Sequence, residues 1–193
     1  MFPWFSFLTY VVITAATPGP NTLMSLSSGV RYGLKKSLPF QWGIGVGFSL
    51  ASFLCMIFCS LLATAIPQIQ LPMKILGAAY MLYLAWKTFR SSPELEEKNA
   101  EFTFFSGIIL QFLNPKLYIY CIVSMETYIL PYYHGQWAVL TGFALLLAFF
   151  GLVFTLCWAA FGSAFRTFFT RYGKLANAVF ALLLLYCAIS LFL

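Results

Sequence analysis

The sequence predicts an all-α integral membrane protein of six transmembrane helices, arranged as two inverted three-helix repeats with helices 1 and 4 broken at mid-membrane. Three observations carry this expectation. The chain is 62% hydrophobic and 20% aromatic with only 8% charged residues, against about 25% charged in a soluble domain. Its apolar runs are continuous, as in membrane helices and unlike the alternating strands of a membrane barrel. Two of the runs carry helix-breaking prolines in their interior, one in each half of the chain. Read this way, residues 1–193 form a single membrane domain: repeat one 1–90, a cytoplasmic linker 91–101 and repeat two 102–193.

Six segments approach or exceed the roughly 20 apolar residues that span a bilayer: 2–30, 38–66, 72–89, 102–130, 136–162 and 175–193. The first is not read as a cleaved signal peptide, since no basic residue precedes it and it runs on past its prolines. It contains Thr17-Pro18-Gly19-Pro20-Asn21. Proline removes a backbone donor and clashes with the preceding turn, so the helix is expected to break there. Asn21 is a favourable N-cap from which the helix restarts. The restarted helix would aim its free N–H groups and positive dipole end at the membrane centre, a site for a carboxylate without any basic side chain. Thr17, Thr22 and Ser25 are near enough to add hydroxyls. The plainer alternative is a proline kink.

Helix 2 carries Gly43, Gly47 and Ala51 at four-residue spacing, with Gly45 and Ser49 nearby. Small residues at that spacing let membrane helices approach closely. The stripe is read as intramolecular packing and leaves room for a homodimer contact. Gly77, Ala78 and Ala79 extend the pattern to helix 3. The five cysteines, 55, 59, 121, 157 and 187, all fall inside predicted helices. An odd number within the bilayer argues against a disulfide framework. Cys55 and Cys59 share a helix face, yet small apolar packing is the simpler reading and no metal site is expected.

The linker Ser91–Glu101 holds four of the five acidic residues and divides the chain into halves of three helices. Three is odd, so the second half enters the membrane from the opposite side. Helix 4 repeats the break with Asn114-Pro115-Lys116, Gln111 lying one turn earlier. Asn114 is the expected N-cap and Pro115 the first helical residue, where its missing N–H costs nothing. Lys116 is about fourteen residues from either end of its span, roughly 20 Å along a helix. A lysine at that depth costs about 3 kcal/mol and is a functional candidate by default. It is read as a counter-ion for a carboxylate or a proton carrier, or as a structural lysine on carbonyls freed by the breaks. Glu126 is a second coupling candidate, or else an exposed interfacial carboxylate. Paired breaks in the two halves are the sequence pointer to a transporter binding site.

Orientation follows the basic loops. Arg31, Lys35 and Lys36 follow helix 1, Lys87, Arg90 and Lys98 follow helix 3, and Arg166, Arg171 and Lys174 follow helix 5, against Lys74 on the other side. Both termini are therefore expected outside the cytoplasm. Trp4, Phe5, Tyr10, Tyr132, Tyr133 and Trp137 then fall near the outer face as interfacial anchors or, less simply, as a gate. The net charge of +6 is a topology signal in short loops, and no nucleic-acid partner is expected.

Thr17-Pro18-Gly19-Pro20-Asn21, followed by a basic loop containing Gly33, resembles the start of the LysE/RhtB amino-acid exporters. Gly77-Ala78-Ala79-Tyr80 with Tyr83-Leu84-Ala85-Trp86-Lys87 is similar to their third helix, and Gln111 to Lys116 to their fourth. Within the family the likeness is greatest to the cysteine/O-acetylserine exporter subgroup, through Tyr10 with Ile13-Thr14-Ala15-Ala16, Cys157-Trp158-Ala159 and Leu183-Leu184-Leu185-Tyr186-Cys187-Ala188. The resemblance implies a non-enzymatic efflux protein for small amino acids in a bacterial inner membrane, driven by the proton gradient and without a cofactor. Glu126 departs from the subgroup's pattern, which leaves coupling and cargo open. The site residues expected on this basis are Thr17, Pro18, Gly19, Pro20, Asn21, Thr22, Gln111, Asn114, Pro115 and Lys116. A membrane thiol-disulfide relay built on the buried cysteines is the alternative from another class, and a non-transporting scaffold is a third.

Overall fold

The computed structural model describes residues 1–59 and 102–190, together with positions 72, 75, 76, 78, 79, 82, 83, 85, 86, 89 and 90. Those isolated positions are helical, in keeping with a third helix, whereas the linker 91–101 lies outside the described residues. Among the described residues the fold is helical and contains no strand.

Helix α1 is Trp4–Ala16, and α2 runs from Pro20 to Ile57 with one non-helical residue, Gly33, at φ 75° and ψ 165°. Only glycine adopts such a φ freely, and the chain doubles back there. Ser25 Oγ donates to Gln41 Oε1 at 3.0 Å, and Gln41 Nε2 donates to Ser28 Oγ at 3.3 Å, two bonds that straddle the turn. Ser163 Oγ accepts from Leu34 N–H and pins the turn to the end of α6. Predicted helices 1 and 2 thus meet at a single residue. The second limb begins at Leu34 rather than 38, because one left-handed glycine reverses the chain without a loop.

Helices α3 (Phe104–Phe112) and α4 (Pro115–Val123) are bent by 63° about the second break. A π-helical turn, Ser124–Ile129, and α5 (Leu130–Tyr133) complete that segment. Then come α6 (Trp137–Ala164), α7 (Arg166–Arg171) and α8 (Gly173–Ser190). By length and composition α2 and α6 are each able to cross a membrane, and the bent α3–α5 segment makes a third if taken as one broken span. Val46, Leu50 and Leu54 on α2 and Leu145 and Phe149 on α6 are exposed, which suits a lipid-facing surface.

The two ends of the bundle are held differently. Toward Gly33, pairs of glycines bring backbones into contact. A Cβ at Gly29 would overlap Ala159 O and one at Gly162 would overlap Leu26 O; likewise Gly43 faces Phe104 O and Gly107 faces Phe40 O. The helix 2 stripe is therefore intramolecular packing at Gly43 and also at Gly47, which abuts Ile108 and Gln111. Toward the N-terminus the contacts are aromatic: Tyr120 stacks on Tyr10 at 6.2 Å, Tyr10 on Tyr128 at 5.7 Å, and Phe7 meets Tyr128 at 5.9 Å and Phe2 at 5.4 Å. Of the predicted anchors, Trp4, Phe5, Tyr132 and Trp137 are exposed, while Tyr10 joins the column. Cys55, Cys59 and Cys121 are buried in the same apolar cluster, and the Cys121 thiol lies 3.4 Å from Ser52 Oγ.

Candidate functional site

The first break follows from its prolines. Thr17 ends α1, its N–H and hydroxyl both bonded to Ile13 O. Pro18 follows, Gly19 is extended, and Pro20 occupies the first position of α2. The cap is made by Gly19 and Thr22: Gly19 N–H donates to Thr22 Oγ1 at 2.8 Å, and the same hydroxyl donates to Gly19 O at 3.0 Å. The expectation that Asn21 caps the restarted helix is corrected here. Proline's fixed φ is already helical, so the helix begins before Asn21 and leaves that side chain free. The backbone N–H groups of Asn21 and Thr22 have no partner within the helix, being in its first turn.

The second break has the expected form. Asn114 is the N-cap, its Oδ1 accepting from Lys116 N–H at 3.1 Å, and Pro115 opens α4.

What sequence reasoning did not show is that the breaks are joined. Asn21 Nδ2 donates to Gln111 Oε1 at 2.7 Å, while Asn21 Oδ1 accepts from Gln111 Nε2 at 3.3 Å and from Asn114 Nδ2 at 3.1 Å. Gln111 Nε2 also reaches Gly107 O at 3.2 Å. All three amides are buried, and a buried amide without such partners would cost about 1–3 kcal/mol. A second bridge crosses above them: Lys116 Nζ donates to Thr17 O at 2.9 Å. Lys116 thus occupies a carbonyl released by the first break, the structural role weighed for it above. Trp158 Nε1 serves the neighbouring carbonyl, Ala16 O, at 3.4 Å.

Beside this junction lies a cavity of about 40 Å³, room for roughly three waters at about 10–15 Å³ of free centre volume each. Thr17, Gly19, Pro20, Asn21 and Thr22 line it from the first break, and Asn114 and Lys116 from the second. Gln111 is not in the lining and holds Asn21 from behind. Pro18 is exposed and Pro115 buried, neither of them in the lining. Glu126 is apart from this group, exposed in the π-helical turn beside Cys59. The remaining walls were not expected as site residues from the sequence: Thr14 and Ala15 from α1, Phe48 from α2, Leu117 and Tyr120 from α4, and Gly151 and Thr155 from α6. Tyr120 and Phe48 are ordinary apolar-run aromatics in sequence, and only tertiary packing turns them toward the cavity.

Helix breaks joined across two halves of an apolar chain, with a cavity between them, describe a membrane translocator. The LysE type translocator family matches residues 12–193. The chain belongs to that family. Over 190 residues this LysE type translocator is 37% identical to the cysteine/O-acetylserine efflux protein of Escherichia coli O1:K1 / APEC, and to the protein of the same name from Salmonella typhi. Each match covers 97% of this chain and 96% of the relative. No solved structure matches the chain.

Proposed function

We propose that this LysE type translocator exports small amino acids or derivatives resembling cysteine and O-acetylserine from the bacterial cytoplasm across the inner membrane, by proton antiport. The observation that carries the reading is the buried Asn21–Gln111–Asn114 network, which joins two helix breaks beside a cavity faced by Lys116. The cargo carboxylate would take the first-turn N–H groups of Asn21 and Thr22 and the Lys116 ammonium. The cavity is smaller than a whole amino acid, so entry requires its walls to part. Withdrawal of Lys116 from Thr17 O toward the carboxylate uncouples α1 from α4 as cargo binds. Binding and opening are then one event, which is what alternating access needs.

In this reading six helices form two inverted repeats, both termini face away from the cytoplasm, and the Gly33 turn lies inside. The side-chain contacts of the aromatic column open more readily than the backbone contacts of Gly29, Gly43, Gly107 and Gly162, so the outer half gives way during release. Lys116, the ionisable side chain at the joined breaks, is the first candidate for the antiported proton, and Glu126 is the second. Counterflow in proteoliposomes with labelled amino acids, with and without a pH gradient, tests the function. The Asn21→Ala variant, inserted at normal levels, is expected to lose most of it. Undiminished export by that variant refutes the site, and indifference to the pH gradient refutes proton antiport.

A further inference from the structure

We infer that the α1 end of the first break is the cargo's amino subsite: the Thr14 and Ala15 carbonyls, with Thr155 Oγ1 on the α6 wall, receive the α-ammonium while the opposing end of α2 holds the carboxylate. The inference rests on the amino-acid export reading and deepens it at the same cavity.

A helix leaves its last four carbonyls without partners in a following turn. In α1 these belong to Ile13, Thr14, Ala15 and Ala16. Thr17 N–H closes on Ile13 O, and Trp158 Nε1 on Ala16 O. Thr14 O and Ala15 O receive nothing from the chain that follows them. Four residues beyond Thr14 stands Pro18, which has no N–H, and three beyond stands Thr17, whose N–H is taken by Ile13 O. The same count from Ala15 reaches Pro18 and Gly19, and Gly19 N–H is taken by Thr22 Oγ1 at 2.8 Å. Both residues line the cavity.

A separate acceptor stands on α6. Thr155 lines the cavity and is 2% exposed, and its Oγ1 donates backward to Leu152 O at 2.9 Å. With its one proton committed, what that oxygen has left to offer is lone pairs. An ammonium brings three donors and no acceptor, which matches two carbonyls and one hydroxyl oxygen.

The charge pattern agrees. Helix α1 ends and α2 begins on either side of Pro18-Gly19, so a negative and a positive dipole end meet there. An α-amino acid carries its ammonium and its carboxylate on one carbon, and both helix ends line one cavity of about 40 Å³. The second break does not duplicate this arrangement. It contributes Asn114, Lys116, Leu117 and Tyr120 to the lining, and among the described residues none from α3. When Lys116 leaves Thr17 O for the carboxylate, that carbonyl adds one more acceptor at the α1 end.

The test is competition against counterflow of labelled cysteine in reducing proteoliposomes, using unlabelled cysteine and 3-mercaptopropionate, which is cysteine without its amino group. Half-inhibition by 3-mercaptopropionate is expected to need at least about tenfold more compound, because hydrogen bonds to a charged group are lost. Two variants place the preference. Thr155→Val removes one acceptor while Leu152 O keeps its donor inside α6. Pro18→Ala restores an N–H and lifts the restriction on Thr17, so α1 lengthens and takes back Thr14 O. Each is expected to narrow the ratio between the two competitors at least about threefold. If cysteine exchanges and 3-mercaptopropionate competes equally well, the inference is overturned and the export reading stands, with water alone serving the carbonyls. An unchanged ratio in the variants that insert also overturns it, by placing the amine elsewhere, the linker carboxylates included. If Pro18→Ala fails to insert, Thr155→Val decides. Absence of cysteine exchange in the parent brings down the export reading as well.

Discussion

Lys116→Met removes the charge from the centre of the site while keeping most of the side chain's length. Two effects on the fold oppose each other. The bond from Nζ to Thr17 O at 2.9 Å is lost, at a cost of about 1–3 kcal/mol for the carbonyl left behind. Against that, about 3 kcal/mol of unfavourable lysine insertion is relieved. The variant should therefore insert and melt within about 1–2 kcal/mol of the parent, and a transport defect is then not a folding defect. For binding, a hydrogen bond to a charged partner is worth about 1.5–3 kcal/mol. At 1.36 kcal/mol per tenfold that predicts a half-saturating concentration about 13- to 160-fold higher in counterflow. The measurement is counterflow against cargo concentration, with detergent-solubilised thermal unfolding as the control. A half-saturating concentration within twofold of the parent, at equal insertion, would refute Lys116 as the carboxylate's partner. The same variant addresses coupling, because loss of pH-driven accumulation with exchange retained assigns the proton to Lys116.

Further substitutions follow from the geometry. Gly43→Ala drives a methyl into Phe104 O, a backbone atom that cannot rotate away, so a loss of about 1–3 kcal/mol is expected as a lower melting temperature; Gly142→Ala, with nothing within 4 Å, is expected to melt like the parent. Gly19→Ala places a methyl 3.2 Å from Lys116 Cδ and Nζ on a backbone at φ −168° that any residue adopts. It should melt normally yet transport more slowly, because the flexible lysine gives way and leaves Thr17 O. Replacing all five cysteines by alanine is expected to leave export intact, and a dead variant at normal insertion would favour a thiol relay over a binding site built on amides and Lys116.

Much of this fold was legible because its signals are local. Apolar length marks α2 and α6 as able to cross a membrane regardless of neighbours. The prolines at 18, 20 and 115 lie where one helix ends and the next begins, although Pro39 is accommodated inside α2. Asn114 could be read as a cap from Pro115 alone. The Gly33 reversal was harder, since the surrounding Arg31, Lys35 and Lys36 also suit an ordinary loop. The bonds from Gln41 to Ser25 and Ser28 that fasten it are visible only once the limbs lie together. The π-helical turn at 124–129 carries no proline or glycine to announce it. Cavity walls such as Tyr120 and Thr155 depend on which faces α4 and α6 turn toward α2, a tertiary choice that apolar-rich helices do not encode in a sharp polar stripe.

Asn21 shows most clearly where local reasoning stopped short. Asparagine and proline occur at both breaks in opposite order, Pro20-Asn21 and Asn114-Pro115. Proline favours the first helical position, so the residue before it becomes the cap and the residue after it enters the first turn. Applied at both sites, that rule makes Asn114 a cap and Gly19 the other cap, with Asn21 inside the helix. A cap asparagine spends its oxygen on its own backbone, as Asn114 does with Lys116 N–H. One residue past the proline, the side chain points sideways, and its full amide is available to a neighbouring helix. Asn21 uses it to accept from Asn114 and to exchange bonds with Gln111. The reversed order therefore gives the two asparagines different work: one terminates its helix, and the other ties the two halves of the chain together at the cavity.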